Sequence, residues 1–377
     1  MRILTISSAY PYRDSNDFIF VKQLMDQFVT LGYDVIVIAP QSITKTLFRK
    51  KTKRPYHYTI PVDDKSYTLY SPKYISFSNI PILKKVAGFL FRRAVIRTVK
   101  KEKLNFDITY SHFLNGPGTT AFKIYRKYDK PYFIAFGEST FKFKKNKLIK
   151  KTLKYASGFI TVSTEMKQRL LQFDKSIPLS KISVHSNGYN PKLFYPKDKK
   201  KLRKKFNINE KDFVVIFVGG FIHRKGTLRL NEALKNIDNP NIKAIFIGQG
   251  PENPDYDHII YKGRVLHNEI NDYLNLSDLF VLPTLNEGSC NAIIEAMGAG
   301  LPIISSNNSF NDDILADDYS IRINPKSVDE LRAIILKLYQ DKSKLQTLSK
   351  SALNSSKKFY LETRAMNIIE FIDSKIQ

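Results

Sequence analysis

Short apolar, β-rich runs alternate along this chain with stretches of helical period. RILTISS (2–8) and YDVIVIA (33–39) flank FIFVKQLMDQFVTLG, whose spacing is helical and which Gly32 stops. An irregular Tyr- and Lys-rich region follows, then a basic helical stretch at about 80–103. The alternation resumes with FDITYSH (106–112), a helix after Pro117, PYFIAFG (131–137), a helix near 146–156, GFITVS (158–163), another helix and KISVHSN (181–187). Strands that alternate with helices predict a parallel, doubly wound sheet whose ligand crevice lies beyond the strand C-terminal ends.

A second series opens at FVVIFVGG (213–220). It continues through KAIFIGQG (243–250), HIIYKG (258–263), DLFVLP (278–283), PIISS (302–306) and SIRINP (320–325), with helices between. The segment at 188–211, rich in Lys, Asn and Pro, reads as a linker with an entry helix. At 377 residues the chain is long enough for two cores, expected at 1–190 and 191–361. The last helices, at about 327–340, 343–357 and 362–376, outnumber what a six-stranded sheet needs.

Charge changes the picture in one half only. The net charge is +26. Residues 1–190 hold 34 Lys and Arg against 12 Asp and Glu, and residues 191–377 hold 27 against 23. Such a field draws anions: nucleic acid, acidic lipid head groups or a phosphate-bearing substrate. In the basic stretch IPILKKVAGFLFRRAVIRTVKKEK, a helical wheel puts Leu83, Ala87, Leu90, Phe91 and Ala94 on one side. Lys85, Arg92, Arg93, Arg97 and Lys100 take the other, interleaved with Phe89 and Ile96. That pattern fits a core helix with a solvated basic face or an element lying on an anionic membrane; a lysine cluster at 142–151 would add to the latter. One cysteine, Cys290, excludes an intrachain disulfide. No apolar run reaches bilayer length, so the expectation is a cytoplasmic protein, peripheral at the inner face of a membrane.

The chain is organised around LPTLNEGSCNAIIEAMGAGLPIISS, which starts at Leu282 and reads as strand, loop, helix and strand. Glu287 belongs to the loop and Glu295 to the helix, eight residues on, so the two do not share a helix face. Between them, Gly288 and Ser289 offer backbone N–H groups at a helix start, a place suited to anions.

With two parallel α/β domains in series, EGSCNAIIEAMGAGLPII resembles the E-x7-E signature of the retaining glycosyltransferases of the GT-B fold, in the family numbered four. VGGFIHRKG, IGQGP, YKGRVLHNEINDYLNLSDLFVLP and SNGYNPKLFYP stand in that family's order. The resemblance implies two doubly wound Rossmann-like domains facing across a cleft, with the helix at about 362–377 crossing back onto the N-terminal one. It implies a nucleotide-sugar donor and a glycan or lipid-linked acceptor, as in surface polysaccharide or glycolipid biosynthesis. Arg224 and Lys225, with Gly219 and Gly220 allowing close backbone approach, would meet the diphosphate. Glu287 and the N–H groups of Gly288, Ser289, Cys290 and Asn291 would hold the sugar, and Glu295 the ribose. The base would lie by Arg264 and Val265, and His112 would face the sugar. No metal or other cofactor is expected, since no Asp-x-Asp or His/Cys cluster has ligand spacing.

The chain departs from the pattern at three places. Gly220 stands where Arg is common in the family, the first loop YPYRDSNDFIFV has no glycine, and Phe136 precedes Gly137 and Glu138 where His is usual. The other readings are a catalytically silent sugar- or partner-binding subunit, which the altered first loop favours, and a nucleic-acid binder, for which no reading module is recognised.

Overall fold

Each apolar run becomes a strand, because alternate side chains of a β-strand bury on opposite faces and helices cover both faces of a parallel sheet. The computed structural model describes residues 1–13, 18–48, 53–76, 81–137 and 146–376, with only the backbone described for Lys45, Leu47, Phe48, Pro81 and Ile82. Glu138, Lys142, Lys144 and Lys145 lie outside the described residues. The chain forms two compact units: Met1–His185 with Arg364–Gln377, and Ser186–Thr363.

In the first unit the strands are β1 (Arg2–Ile6), β2 (Asp34–Ile38), β3 (Gln41–Ser42), β4 (His57–Val62), β5 (Lys65–Tyr70), β6 (Lys73–Tyr74), β7 (Ile108–His112), β8 (Tyr132–Phe136), β9 (Gly158–Thr161) and β10 (Ile182–Val184). Eight of them form a sheet in the order β10-β9-β8-β7-β1-β2-β5-β4. On one face, Ile3, Val37, Tyr110 and Phe133 pack with Leu24 and Phe28 of the helix Ile19–Thr30 and with Ala365, Ile368 and Ile372 of the helix Leu361–Ile376. On the other, Leu4, Ile6, Ile134 and Phe136 meet Phe91, Val95 and Val99 of the helix Pro81–Lys101.

Three sequence expectations are corrected here. The Tyr- and Lys-rich region is not irregular, and the sheet is not wholly parallel: β4 and β5 form an antiparallel hairpin whose β5 continues the parallel sheet beside β2. Its two-residue turn is Asp63–Asp64, with Asp63 at φ 49°. Asp-Asp in place of Asn-Gly gives a weak hairpin signal. The buried stripe of the helix Pro81–Lys101 also differs from the wheel. It runs through Phe91, Val95, Thr98 and Val99, whereas Val86 and Phe89 are exposed beside Lys84, Lys85 and Arg93.

The second unit has β11 (Phe213–Val218), β12 (Ile242–Ile247), β13 (Ile259–Gly263), β14 (Leu279–Leu282), β15 (Ile303–Ser306) and β16 (Ser320–Ile323), all parallel. Their order, β13-β12-β11-β14-β15-β16, is the doubly wound 3-2-1-4-5-6 arrangement. The chain winds outward from β11 in one direction and from β14 in the other. Loops leaving these two neighbours must therefore diverge, which opens a crevice above the C-terminal ends of the pair.

The linker is fastened at the opposite end of this sheet. Arg203, buried on the helix Lys199–Lys205, donates to Asp278 Oδ2 at 2.6 Å and to the carbonyls of Leu276, Glu210 and Asp212 at 3.0 Å each. Asp278 Oδ2 also accepts from Val214 N at 2.7 Å. Asp278 keeps Lys199 Nζ at 3.0 Å from Oδ1 when Arg203 is removed, so the loss is chiefly that of Arg203's own buried hydrogen bonds to Asp278 and three carbonyls, on the order of 1–3 kcal/mol. Arg203→Leu should therefore lower the melting temperature by several degrees in differential scanning fluorimetry, whereas Lys201→Ala on the solvated side of the same helix should leave it unchanged.

Candidate active site

β11 ends at Val218, and the backbone then makes a tight turn through Gly219, Gly220 and the single helical turn His223–Lys225 into Gly226 and the helix Thr227–Lys235. Gly226 has φ +83°, and a Cβ there would come within 2.5 Å of the Pro283 carbonyl oxygen. Only glycine fits, because both the left-handed conformation and the contact exclude a side chain. This brings the turn after β11 against the loop after β14. The carbonyl of Arg224 accepts from Leu285 N at 2.7 Å, with Thr284 Oγ1 3.1 Å away.

That contact assembles the charged centre. Lys225 Nζ lies 2.5 Å and Arg224 Nη1 3.1 Å from the same oxygen, Glu287 Oε1, to which Thr284 Oγ1 also donates at 2.9 Å. Arg224 donates as well to the Asn286 carbonyl. The Glu287 and Lys225 side chains are nearly buried. Burial pulls the Lys225 ammonium toward neutrality, but the negative groups beside it, Cys290 and Glu287, outweigh that and hold it above its ordinary value. Since Cys290 is itself pushed up to about 11 by burial, it is a neutral thiol near pH 7, and Glu287 is the partner that matters there.

The helix Asn291–Gly298 starts immediately after, with Cys290 at its cap. Its first turn is braced from the linker: Ser289 Oγ accepts from Asn187 N at 2.9 Å, and Asn187 Nδ2 donates to Ser289 O at 3.0 Å and to Asn291 Oδ1 at 2.8 Å. The side chains of Ser289 and Asn291 are thus committed to Asn187. Glu295 is buried further along the helix, and His267 Nε2 lies 3.1 Å from its Oε1. Arg264 is exposed, with its carbonyl accepting from Tyr261 Oη at 2.9 Å, and Val265 packs against the core.

Gly219 and Gly220 stand in the turn after β11 as read; within the chain a Cβ at Gly219 would make ordinary contacts and one at Gly220 would stand nearly clear, which leaves the space beside them open. The tight approach is at Gly248, after β12, where a Cβ would run into the Gly219 carbonyl. One of the sequence-derived residues, His112, sits differently from expectation. His112 ends β7 in the first unit as read, but its ring is fully enclosed. Phe113 and Phe20 lie 4.6 and 5.2 Å from it, centroid to centroid, and neither ring nitrogen has a partner among the described residues. Burial, with the Arg364 charge, drives its pKa down to about 3, so it is a neutral imidazole.

Sequence reasoning missed Thr284, Asn187 and His267. Asn187 stood inside the quoted SNGYN run and His267 inside YKGRVLHNEI, so the signals were present but carried no role. Among the described residues, no group of three His, Cys, Asp or Glu side chains could hold a metal ion, and no helix is long and apolar enough to cross a membrane.

The family models for glycosyl transferases group 1 and for glycosyltransferase family 4 match residues 198–355 and 19–193. The chain belongs to this glycosyltransferase family. Its fold is GT-B, built from two Rossmann-like units. TuaC of Bacillus subtilis (strain 168), provisionally named a teichuronic acid biosynthesis glycosyltransferase, is 28% identical over 89% of this chain and 88% of its own length. The UDP-Gal:alpha-D-GlcNAc-diphosphoundecaprenol alpha-1,3-galactosyltransferase of Escherichia coli is 27% identical over 78% of this chain and 79% of its own. Anabaena Alr3699/HepE, solved in complex with UDP-glucose, shares the fold with a TM-score of 0.73 at 18% identity, covering 99% of this chain and 100% of that one. This glycosyltransferase thus has relatives in polysaccharide biosynthesis.

Its single cysteine offers a check on the site's burial. A thiol near pKa 11 carries on the order of a hundredfold less thiolate at pH 8 than a free cysteine. Cys290 should react with Ellman's reagent correspondingly slowly in the folded protein and at the rate of a model thiol in guanidinium.

Proposed function

We propose that the chain is a retaining glycosyltransferase that moves a hexosyl or N-acetylhexosaminyl unit from a nucleotide-sugar donor to a hydroxyl of a glycan or lipid-linked acceptor. The observation that carries this reading is the convergence of Lys225, Arg224 and Glu287 between the loops after β11 and β14, beside the start of the helix Asn291–Gly298. Cations, backbone N–H groups and a carboxylate in one place are what a sugar diphosphate asks for.

Each residue has a separate task. Lys225 and Arg224 take the diphosphate, Glu287 and the N–H groups from Gly288 to Asn291 hold the sugar hydroxyls, Glu295 takes the ribose, and the base lies along Arg264 and Val265. In the step itself the acceptor oxygen bonds to the anomeric carbon as the bond to the diphosphate oxygen breaks. The acceptor proton passes to a phosphate oxygen on the face the leaving group departs from, so configuration is kept. Negative charge grows on the diphosphate as that bond breaks, and Lys225, already held protonated, stabilises it without reorganising. Glu287 and Glu295 are not the paired acids of a retaining hydrolase, where one carboxylate is a nucleophile. Neither a metal nor another cofactor enters this reading.

The donor and acceptor in the name of the E. coli relative, UDP-Gal and alpha-D-GlcNAc-diphosphoundecaprenol, support a nucleotide sugar and a lipid-linked acceptor here. The exposed Val86 and Phe89 beside Lys84, Lys85 and Arg93 support a cytoplasmic enzyme that rests on an anionic membrane.

Donor turnover tests the core of this reading. Lys225→Ala should lower kcat for hydrolysis or transfer from its nucleotide sugar by about 10²–10³-fold with a smaller change in KM, and NMR of the product should show the anomeric configuration of the donor. Absence of turnover across UDP-, GDP- and ADP-sugars would leave a silent binding subunit. Separately, co-sedimentation with anionic vesicles should be strong at low salt, fade with added salt, and weaken in Phe89→Ser.

A further inference from the structure

The carboxylate assigned to the ribose is not free-standing. Glu295 lies in the interior of the helix Asn291–Gly298, 7% exposed, and among the described residues the bond to its side chain is that from His267 at 3.1 Å. A carboxylate has room for about four donors, so one imidazole leaves capacity for the two hydroxyls of a ribose. A buried carboxylate with nothing to fix its plane could turn to serve one hydroxyl as readily as two.

His267 is built to prevent that turn. It follows Arg264 and Val265 by three and two residues, in a loop closed by Glu269. The Glu269 carboxylate accepts from Leu266 N at 3.0 Å, and its own N–H donates to the Leu266 carbonyl at 2.9 Å. The imidazole meets the Phe194 ring edge-on at 5.3 Å. Backbone, ring face and ring nitrogen are thus each held, and a side chain so restrained transmits its orientation to what it bonds. Burial pulls the imidazole pKa down, but the Glu295 hydrogen bond and charge more than offset this and leave it above its ordinary value. The charged groups on the neighbouring elements are otherwise accounted for, since Glu269 is occupied by Leu266 N and Arg264 is exposed.

We propose that His267 is the positioning residue that fixes the Glu295 carboxylate for a vicinal diol, and that this pair makes the nucleotide site select ribonucleotides over 2′-deoxyribonucleotides. The proposal rests on the reading of Glu295 as the ribose acceptor. With the carboxylate plane fixed, a donor lacking the 2′-hydroxyl leaves a buried acceptor unpaired, and sites that hydrogen-bond a hydroxyl discriminate strongly against its absence.

Isothermal titration of the full chain with UDP, GDP and ADP, each against its 2′-deoxy counterpart, tests this. The wild type should bind the ribonucleotide of its preferred base at least tenfold more tightly. His267→Ala should weaken that ribonucleotide at least fivefold and the deoxynucleotide less than twofold, so the ratio collapses. His267→Gln supplies a donor that does not titrate, and should keep most of the selectivity while flattening the dependence of affinity on pH between 6 and 8. Equal loss for both nucleotides in a folded His267→Ala, or a wild-type ratio near one, would overturn the proposal; if His267→Ala does not fold, loss of the ratio in a folded His267→Gln overturns it instead. If no nucleotide binds the wild type, the donor reading of the whole site falls first, which separates the two failures.

Discussion

One carboxylate oxygen governs the second unit. Glu287 Oε1 accepts from Lys225, Arg224 and Thr284 at once, and everything around it is arranged so that this is possible. The 3-2-1-4-5-6 winding separates the loops after β11 and β14, and Gly226 lets them return into contact at their base. Two partly desolvated cations side by side would repel each other, and the carboxylate between them offsets that repulsion. The pair of cations and the acid are therefore mutually necessary before any ligand enters the account. A substrate phosphate at the same place would bring further negative charge to a site whose lysine is already held protonated.

Around that centre the structure is stiff by hydrogen bonding rather than by bulk. Asn187 ties the linker to the first turn of the helix Asn291–Gly298 through three bonds, and His267 ties the loop after β13 to its far half. The two carboxylates eight residues apart are thus fixed from different directions by different neighbours.

Much of this was legible in the chain, and the parts that were not share a cause. The strands of both sheets announce themselves as continuous apolar runs because parallel strands are buried on both faces. Arg224, Lys225, Glu287 and Glu295 stood out through the resemblance of the runs that carry them to a known family; taken alone, each charge reads as an ordinary surface residue. The β4–β5 hairpin escaped because its edge strand His57–Val62 is mostly solvated and its Asp-Asp turn is atypical. His267 and Asn187 escaped because their partners lie 28 and 102 or more residues away, and sequence periodicity records a residue's own element, not its distant contact. The buried face of the helix Pro81–Lys101 was displaced toward Val95 and Val99 for the same reason: a wheel finds the most apolar stripe, whereas the sheet beneath selects the stripe that fits.

The helix Leu361–Ile376 has a bearing on how the chain acquires its shape during synthesis. Ala365, Ile368, Ile369 and Ile372 complete the core formed by Ile3, Val37 and Tyr110, so the first unit to leave the ribosome is the last able to close its interior. Ser186–Thr363 is continuous in sequence and can fold as soon as it emerges, while the earlier half waits with only the helix Ile19–Thr30 on that sheet face and the part beneath the last helix uncovered. For roughly the time needed to translate the second half, at about 5–20 residues per second, that face is open to chaperones or to association with other nascent chains.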